Sequence, residues 1–266
     1  MHVLGMAGAK GGTGKTSLGT NLAVYINQGG QDSVMPRSHD TKPIQLPPSF
    51  NRFILLMGAS KGGSGKSTLG VNLAVTAYVC GLKTIIFDTD IEGDSGQQSC
   101  MRWAKLRGAD GVVVRRARLE RIDEAILWAE RNGFTFIVID TPGRDMAGMK
   151  QALNLADFML TPSQPSPLDL QATEPIRRLW AVSTTPSSIA LNMVIRDTLP
   201  RTRHYVARYA EQGAVLPAFV GRRVQYMDAM ERGLGVSEYM PDDIGDREMR
   251  QLLTAIFAEA QKRKAA

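Results

Sequence analysis

Short, continuous hydrophobic runs alternate with mixed polar and apolar segments from Phe53 to the end of the chain. Continuous apolar runs are typical of parallel strands, because helices cover both faces of a parallel sheet. The runs predict strands at Phe53–Gly58, Thr84–Asp88, Gly111–Arg115, Phe134–Asp140, Phe158–Pro162, Ala190–Val194 and Val215–Val220. The segments between them predict helices at Lys66–Tyr78, Ser95–Leu106, Leu119–Arg131, Met146–Asn154, Leu168–Val182, Arg203–Gln212, Arg222–Arg232 and Asp246–Lys262. This alternation predicts a doubly wound, mostly parallel α/β sheet with helices on both faces.

A glycine-rich turn, KGGSGKST, joins the first predicted strand to the first predicted helix. It meets the phosphate-loop pattern G-x-x-x-x-G-K-[ST] only in part, because Ser60 stands where the pattern has its first glycine. Backbone N–H groups of such a turn and the positive end of the following helix bind phosphates. Lys66 is expected to contact the β- and γ-phosphates, and Ser67 to ligate Mg²⁺. The predicted nucleotide-binding residues of the turn are Gly62, Gly63, Ser64, Gly65, Lys66, Ser67 and Thr68.

Acidic residues follow two of the predicted strands. Asp88 and Asp90 end the second strand, and Asp140 ends the fourth. Ligands of open α/β sheets bind at the carboxyl ends of the strands. We therefore expect Asp140 to support a Mg²⁺ shell directly or through water, although an aspartate at a strand end can also simply form a turn.

Four stretches resemble the ParA/MinD family of ATPases. KGGSGKST, with its additional Lys61, resembles the deviant Walker A box of that family. FDTD, ending at Asp90, resembles the start of its switch I, and FIVIDTPG resembles its Walker B strand and switch II. PSQPSPLDLQATEPI, from Pro162 to Ile176, resembles the plasmid-partition ParA branch. The resemblance extends from about Phe53 to the C-terminus.

The resemblance implies roles for individual residues. Lys61 would reach across a dimer interface to the partner's phosphates, as an arginine finger does. Asp90 would position the attacking water, while Asp88 would help to hold the Mg²⁺ shell. Asn192 resembles the adenine-contacting asparagine of the family, but a polar residue at a strand edge is an equal alternative. The family usually continues Asp-Pro-Gln-Gly, whereas this chain has Glu92 in that segment, an extra charge near the phosphates.

The net charge is +6, and its distribution is uneven. Arginines outnumber acids between Arg196 and Arg223, where only Asp197 and Glu211 are acidic. The arginines of this stretch are Arg196, Arg201, Arg203, Arg208, Arg222 and Arg223, and two further basic clusters are Arg177-Arg178 and Lys262-Arg263-Lys264. They are either solvated helix faces or a surface that binds DNA phosphates without sequence preference.

Several classes of protein are disfavoured by what the sequence lacks. No apolar run approaches the roughly 20 residues that a membrane-spanning helix needs, and the N-terminus does not have the apolar core of a signal peptide. Cys80 and Cys100 are isolated, without metal or redox spacing, which indicates buried thiols in a reducing cytosol. The apolar face of the C-terminal helix is expected to pack on the sheet rather than to anchor the protein to a membrane; its residues are Leu252, Leu253, Ile256 and Phe257.

Together these features predict a ParA-type partition ATPase that uses ATP and Mg²⁺ for plasmid or chromosome segregation. The resemblance implies an ATP-dependent homodimer, non-specific DNA binding and slow hydrolysis that a ParB-like centromere-binding partner stimulates. The protein would be cytoplasmic and nucleoid-associated, with no membrane partner. Two alternatives remain at this point: a MinD-like membrane-cycling ATPase, and a DNA- or partner-binding scaffold whose ATPase activity has decayed.

The start of the chain repeats the phosphate-loop segment. MHVLGMAGAKGGTGKTSLGTNLAV matches FILLMGASKGGSGKSTLGVNLAV, with Lys10 aligned to Lys61 and Lys15 to Lys66. After Gly30 the first copy continues into a Pro- and Ser-containing polar stretch that is typical of a linker. His39 stands at the counterpart of Asp90, so the first copy has no acid to position water. We predict that residues 1–50 are a partial, non-catalytic duplicate with a linker, and that residues 51–266 form the ATPase domain.

The duplication leads to a prediction about two lysines. Lys66→Ala should abolish nucleotide binding and turnover, whereas Lys15→Ala should leave turnover nearly unchanged, because only the second loop has acidic strand ends beside it. Isothermal titration with an ATP analogue should give one nucleotide per chain. Two equivalents per chain, or similar losses from both variants, would show that the first copy is a working site.

Overall fold

A seven-stranded parallel sheet forms the centre of the computed structural model, which describes residues 44–90, 99–109, 111–143, 145–195, 200–213 and 215–264. The strand order is β3-β2-β4-β1-β5-β6-β7, and every strand pair in it is parallel. The strands are β1 Phe53–Met57, β2 Thr84–Asp88, β3 Val113–Arg116, β4 Phe136–Asp140, β5 Phe158–Ser163, β6 Ser187–Val194 and β7 Val215–Gly221. The predicted α/β fold class is confirmed.

All the predicted strands are present, with small shifts at their ends. The third begins at Val113 rather than at Gly111, whose φ of +79° is incompatible with an extended strand. The sixth begins earlier than predicted, at Ser187. Ser187 and Ser188 are polar, but they pair with Met159 and Leu160 of β5, so backbone pairing extends the strand beyond its apolar run.

The helices of the described residues cover both faces of this sheet. They are α1 Lys66–Val79, α2 Ser99–Arg107, α3 Ile122–Arg131, α4 Met146–Leu155, α5 Pro167–Ala172, α6 Glu174–Ala181, α7 Pro200–Gln212, α8 Val224–Glu231, α9 Val236–Tyr239 and α10 Ile244–Lys264. Residues 95–98 of the second predicted helix lie outside the described residues. A short 3₁₀ turn, Leu119–Arg121, precedes α3, and the sequence pattern did not predict α9.

The helix predicted at Leu168–Val182 is two helices, which is a correction. α5 ends at Ala172, Thr173 forms a turn, and α6 begins at Glu174. Pro175 has no backbone N–H, so it cannot donate to the carbonyl of Gln171 as a continuous helix would require. The apolar periodicity continues through the break, and periodicity alone therefore did not reveal it.

Separate hydrophobic clusters fill the two faces of the sheet. On one face, α1 and α10 pack over the central strands, and Phe53, Phe136 and Phe257 have ring centroids 4.8 to 6.1 Å apart. On the other face, the side chains of α3, α4 and α6 pack against residues such as Ile54 and Ile137. The predicted apolar face of α10 is buried on the sheet, as expected. None of the described helices is long and apolar enough to cross a membrane.

The segment before β1 packs on the same core. Ile44, Leu46 and Phe50 contact the first cluster, and the Phe50 ring meets Phe53 edge-on at 5.2 Å. These residues lie before the domain boundary predicted at residue 50. Residues 1–43, including the first phosphate-loop copy, lie outside the described residues, so the division of the chain stays a prediction.

Strand register aligns the ends of three central strands. Asp140, the last residue of β4, pairs with Asp88 on β2 and with Met57 on β1. The turn that follows Met57 is the glycine-rich turn KGGSGKST. The fold therefore brings that turn and two carboxylates to one edge of the sheet.

Candidate functional site

The glycine-rich turn runs from the end of β1 directly into α1, which begins at Lys66. Gly63 and Gly65 have φ angles of +77° and +90°, in the left-handed region that favours glycine. Gly65 also has no space for a side chain, because a Cβ there would lie 2.3 Å from Asn192 Nδ2. No acidic residue occupies the first turn of α1. The turn and the helix N-terminus are thus built to receive an anion.

Asn192 is buried at the end of β6 and contacts the glycine-rich turn. Its Nδ2 donates to the Ser64 carbonyl at 2.9 Å, and its Oδ1 accepts from the N–H of Met193 at 2.9 Å. Met193 has a φ of +54°, a conformation that the Asn192 side chain helps to hold. The sequence left an adenine contact and a polar strand-edge position as equal alternatives for Asn192, and its contact here is with the phosphate-loop backbone.

Asp140 is buried at the end of β4, and its two carboxylate oxygens have different surroundings. Its Oδ2 accepts hydrogen bonds from Ser67 Oγ at 2.6 Å and from Cys100 Sγ at 3.3 Å. Its Oδ1 is buried and has no hydrogen-bond partner among the described residues. Burial raises the pKa of Asp140 to about 6, and the bond from Ser67 and the charge of Lys66 oppose that rise. A buried carboxylate oxygen without a partner, beside the Ser67 hydroxyl, fits a hard divalent cation such as Mg²⁺.

Asp88 is buried beside Asp140, and backbone N–H groups hold its carboxylate. Oδ1 accepts from Asp90 at 3.2 Å, and Oδ2 accepts from Met101 at 3.1 Å. Burial raises the pKa of Asp88, while these bonds lower it. Asp90 follows β2 directly and is half-buried at the same edge of the sheet. The structure therefore brings together the three predicted acids, Asp88, Asp90 and Asp140.

Lys61 contacts a carboxylate of its own chain. Its Nζ lies 3.5 Å from Asp169 Oδ2, and its side chain is 47% exposed, whereas that of Asp169 is 9% exposed. Asp169 Oδ2 also accepts a hydrogen bond from Ser166 Oγ, which caps the N-terminus of α5. The Ser60 hydroxyl donates to the carbonyl of Ala172 at the other end of α5. The outer side of the phosphate loop is thus joined to α5 at two points.

Two residues of this site were not predicted from the sequence. Asp169 lies within PSQPSPLDLQATEPI, whose resemblance to the family carried no role for this residue. Cys100 was interpreted only as a buried thiol, because its spacing matches no metal or redox motif. It is buried against Asp140, and burial with the two nearby carboxylates raises the pKa of its thiol. Only the three-dimensional packing reveals these contacts.

The arginines of the predicted basic cluster differ in their surroundings. Arg201 and Arg208 are exposed on α7, and Arg222 is exposed after β7. Arg223 instead donates to Glu248 at 2.7 Å, and the Glu248 side chain is only 3% exposed. Arg196 lies outside the described residues. Of the exposed arginines, Arg208 lines a cleft of about 450 Å³ between α5–α6 and α7, together with Arg177 and His204.

The arrangement at the sheet edge can bind and polarise a nucleotide triphosphate. The turn and Lys66 supply positive charge to phosphates, while Ser67 and the two buried acids supply oxygen ligands for a divalent cation. Asp90, at the rim of this cluster, can accept a hydrogen bond from a water molecule. Among the described residues, no group of three or more His, Cys, Asp or Glu side chains is arranged to hold a metal ion.

Comparison with known proteins agrees with this geometry. The family model described as the CobQ/CobB/MinD/ParA nucleotide binding domain matches residues 55–236. Maintenance of carboxysome distribution protein A from Halothiobacillus neapolitanus is 30% identical over 194 residues, which cover 71% of this chain and 88% of that protein.

Similar folds occur in solved structures with low sequence identity. A Borrelia burgdorferi protein assigned to plasmid partition, bound to AMPPNP, superposes with a TM-score of 0.63 at 13% identity, covering 78% of this chain and 99% of that one. MinD from Pyrococcus horikoshii, in complex with Mg-ADP, gives a TM-score of 0.60 at 16% identity, covering 80% and 98%. At these identities the likeness concerns the fold.

The Asn192 contact leads to a prediction that separates two roles. Asn192→Ala removes the donor to the buried Ser64 carbonyl, at a cost of about 1–3 kcal/mol. If this bond shapes the phosphate loop, the affinities for ATP, GTP and tripolyphosphate should fall together, between roughly fivefold and a hundredfold. Ser188→Ala is a matched control, because that buried hydroxyl on the same strand has no hydrogen-bond partner. A loss confined to ATP would instead assign Asn192 to the adenine.

Proposed function

Because the chain belongs to the CobQ/CobB/MinD/ParA nucleotide-binding family of P-loop ATPases, we propose that it is a ParA-type positioning ATPase. In this proposal ATP and Mg²⁺ drive dimerisation, the dimer binds DNA without sequence preference, and a partner protein stimulates hydrolysis and release. The observation that carries the proposal is Lys61, an exposed lysine of the phosphate loop whose ammonium lies 3.5 Å from a side-chain carboxylate.

Each residue of the sheet edge has a role in this cycle. Lys66 and the N–H groups of the glycine-rich turn bind the β- and γ-phosphates. Ser67, Asp140 and Asp88 would hold Mg²⁺, which when bound would neutralise charge that develops on the phosphates. Asp90 accepts a hydrogen bond from the attacking water and orients it toward the γ-phosphate. The buried Oδ1 of Asp140, which has no partner, supports this assignment.

Lys61 links nucleotide binding to dimerisation. A partly exposed ion pair such as Lys61–Asp169 contributes about 0–1 kcal/mol, because water competes with it. Lys61 can therefore leave Asp169 at little cost when the phosphates of a second subunit offer a stronger anion. ATP would join two subunits in this way, and loss of the γ-phosphate would release them.

The class of cargo is inferred from the names of similar proteins. The relative from Halothiobacillus neapolitanus is named for carboxysome distribution, and the similar Borrelia burgdorferi structure is assigned to plasmid partition. Positioning of a large cargo is common to both descriptions. We infer that this chain positions such a cargo, a plasmid or chromosome region with a ParB-like centromere-binding partner being the first candidate. It would then be cytoplasmic and associated with the nucleoid.

The exposed arginines of α7 are the favoured DNA surface. Arg201, His204 and Arg208 are exposed on that helix, and Arg177 lines the cleft together with His204 and Arg208. Arg223 is a poor candidate, since its guanidinium pairs with the buried Glu248. A membrane-binding role has less support, because the apolar face that α10 would offer to a membrane is buried on the sheet.

The first test separates dimerisation from chemistry. Lys61→Ala should weaken the ATP-dependent dimer, because its proposed contact lies on the other subunit, whereas Asp90→Ala should still dimerise but hydrolyse ATP slowly. Sedimentation velocity with ATP and with ADP, together with phosphate release, measures both properties. Lys150→Ala, an exposed lysine on α4, is the control for loss of a charge. If the Lys61 and Asp90 variants behave alike, the division of roles is wrong.

The second test concerns DNA. The double variant Arg201→Ala/Arg208→Ala should lose about two phosphate contacts, so the slope of log affinity against log salt should fall by roughly 2. A duplex of unrelated sequence and fluorescence anisotropy with ATP suffice for the measurement. Arg121→Ala/Arg131→Ala removes the same charge from exposed positions near α3. An unchanged slope in the first variant, or equal changes in both, would place the DNA surface elsewhere.

A further inference from the structure

A cysteine side chain lies inside the acidic cluster at the strand ends. Cys100 is fully buried, in the first turn of α2, and its Sγ lies 3.3 Å from Asp140 Oδ2. A thiol is a weak hydrogen-bond donor. An ionised carboxylate can accept hydrogen bonds but cannot donate one. The Cys100 S–H therefore donates to Asp140 in the form of the carboxylate that binds a cation.

The two oxygens of Asp140 are used differently. Oδ2 receives both described donors, Ser67 Oγ at 2.6 Å and the Cys100 thiol, whereas Oδ1 receives none. Two donors from different directions restrict rotation of the carboxylate. They leave Oδ1 as the oxygen available to a metal ion or its water. Ser67 alone would restrict the carboxylate less, because its hydroxyl is itself an expected Mg²⁺ ligand.

The same turn of α2 also holds the second carboxylate. The backbone N–H of Met101 donates to Asp88 Oδ2 at 3.1 Å. Asp88 and Asp140 pair in register at the ends of β2 and β4. One helical turn thus contacts both acidic strand ends, through a side chain at Cys100 and through the backbone at Met101.

The rest of α2 is firmly attached to the protein, so its first turn has a fixed position. Trp103 is buried, and its Nε1 donates to the Leu234 carbonyl at 3.1 Å. Arg107 forms an ion pair with Glu238 at 2.6 Å, and the Arg107 side chain is only 6% exposed. These contacts connect α2 to the segment that contains α9. The turn with Cys100 is therefore supported from its C-terminal side.

We propose that Cys100 is a positioning residue of the ATPase, whose thiol orients the Asp140 carboxylate for the Mg²⁺ that accompanies the nucleotide. The inference rests on the proposed function, since it assumes a Mg²⁺-nucleotide complex at this edge. Cys100 acts through Asp140 and contacts neither phosphate nor water in this assignment. A purely structural Cys100 would only fill space in the core, and its capacity to donate would be irrelevant.

Matched substitutions at position 100 separate the effect of the hydrogen-bond donor from the effect of side-chain volume. Cys100→Ser and Cys100→Thr retain a donor, whereas Cys100→Ala and Cys100→Val remove it, and Thr and Val have nearly the same shape. Binding of N-methylanthraniloyl-ADP should be titrated across Mg²⁺ concentrations and again in EDTA, and melting temperatures should identify any variant that is unfolded. Cys80→Ala is the control, because that cysteine lies away from the acids and contacts Arg250.

The expected result is a change in the Mg²⁺ requirement alone. Cys100→Ala and Cys100→Val should raise the half-saturating Mg²⁺ concentration by about threefold to tenfold, the range for one ordinary hydrogen bond, because the thiol is a weak donor. Binding in EDTA should stay within about twofold of the wild type, and the Ser or Thr variant should restore the Mg²⁺ requirement.

Three results would overturn the inference. The Mg²⁺ requirement could be the same in all variants, it could follow side-chain volume rather than the donor, or binding could fall equally with and without Mg²⁺. Failure of the proposed function is a distinct result. In that case the wild type itself would bind the nucleotide without any effect of Mg²⁺, or would bind Mg-ADP but show no ATP-dependent dimer.

Discussion

The pairing of β2 and β4 in parallel register is the constraint on which the rest of the site depends. It places Asp88 and Asp140 side by side at the carboxyl edge, and the pairing of β4 with β1 places the phosphate loop next to them. Two buried carboxylates this close repel each other, and burial further disfavours their charge. Their ionised forms need the donors of Ser67, Met101 and Cys100 and the charge of Lys66. Ionisation of both carboxylates at this edge therefore costs free energy, and a bound cation would offset that cost.

The sequence predicted the framework because a simple physical rule governs it. Strands buried on both faces must be apolar throughout, so each was recognisable from its run, and the acids followed from where those runs end. The order of residues along the chain was therefore enough to locate Lys66, Ser67, Asp88 and Asp140. The contacts of Asn192 with Ser64 and of Lys61 with Asp169 could not be predicted, since they join residues more than 100 positions apart with no shared periodicity. Arg223 illustrates the same limit: its charge was visible in the sequence, but its buried partner Glu248 was not.

Strong interactions hold the helices on the sheet, whereas weak interactions hold the phosphate loop against α5. The helices on the sheet faces are held by fully buried apolar side chains, and α2 by a nearly buried ion pair. The contacts of the phosphate loop with α5 are a partly exposed ion pair and a hydroxyl bond. Such contacts contribute about a kcal/mol or less, which is small beside the affinity of a nucleotide triphosphate. Nucleotide binding can therefore rearrange the loop without disturbing the sheet.

The interruption between α5 and α6 makes the phosphate loop depend on Pro175, a residue outside the nucleotide-binding motifs. Pro175 has no charge and no side-chain hydrogen-bonding group, yet it prevents the two helices from becoming one. The interruption makes Ala172 the last residue of α5, and its carbonyl accepts the Ser60 hydroxyl beside Lys61. The position at which α5 ends therefore affects the geometry of the phosphate loop. Replacement of Pro175 by another uncharged residue would then change nucleotide affinity, although position 175 lies outside the nucleotide site. Between related sequences, such a substitution would resemble an ordinary change in a surface helix.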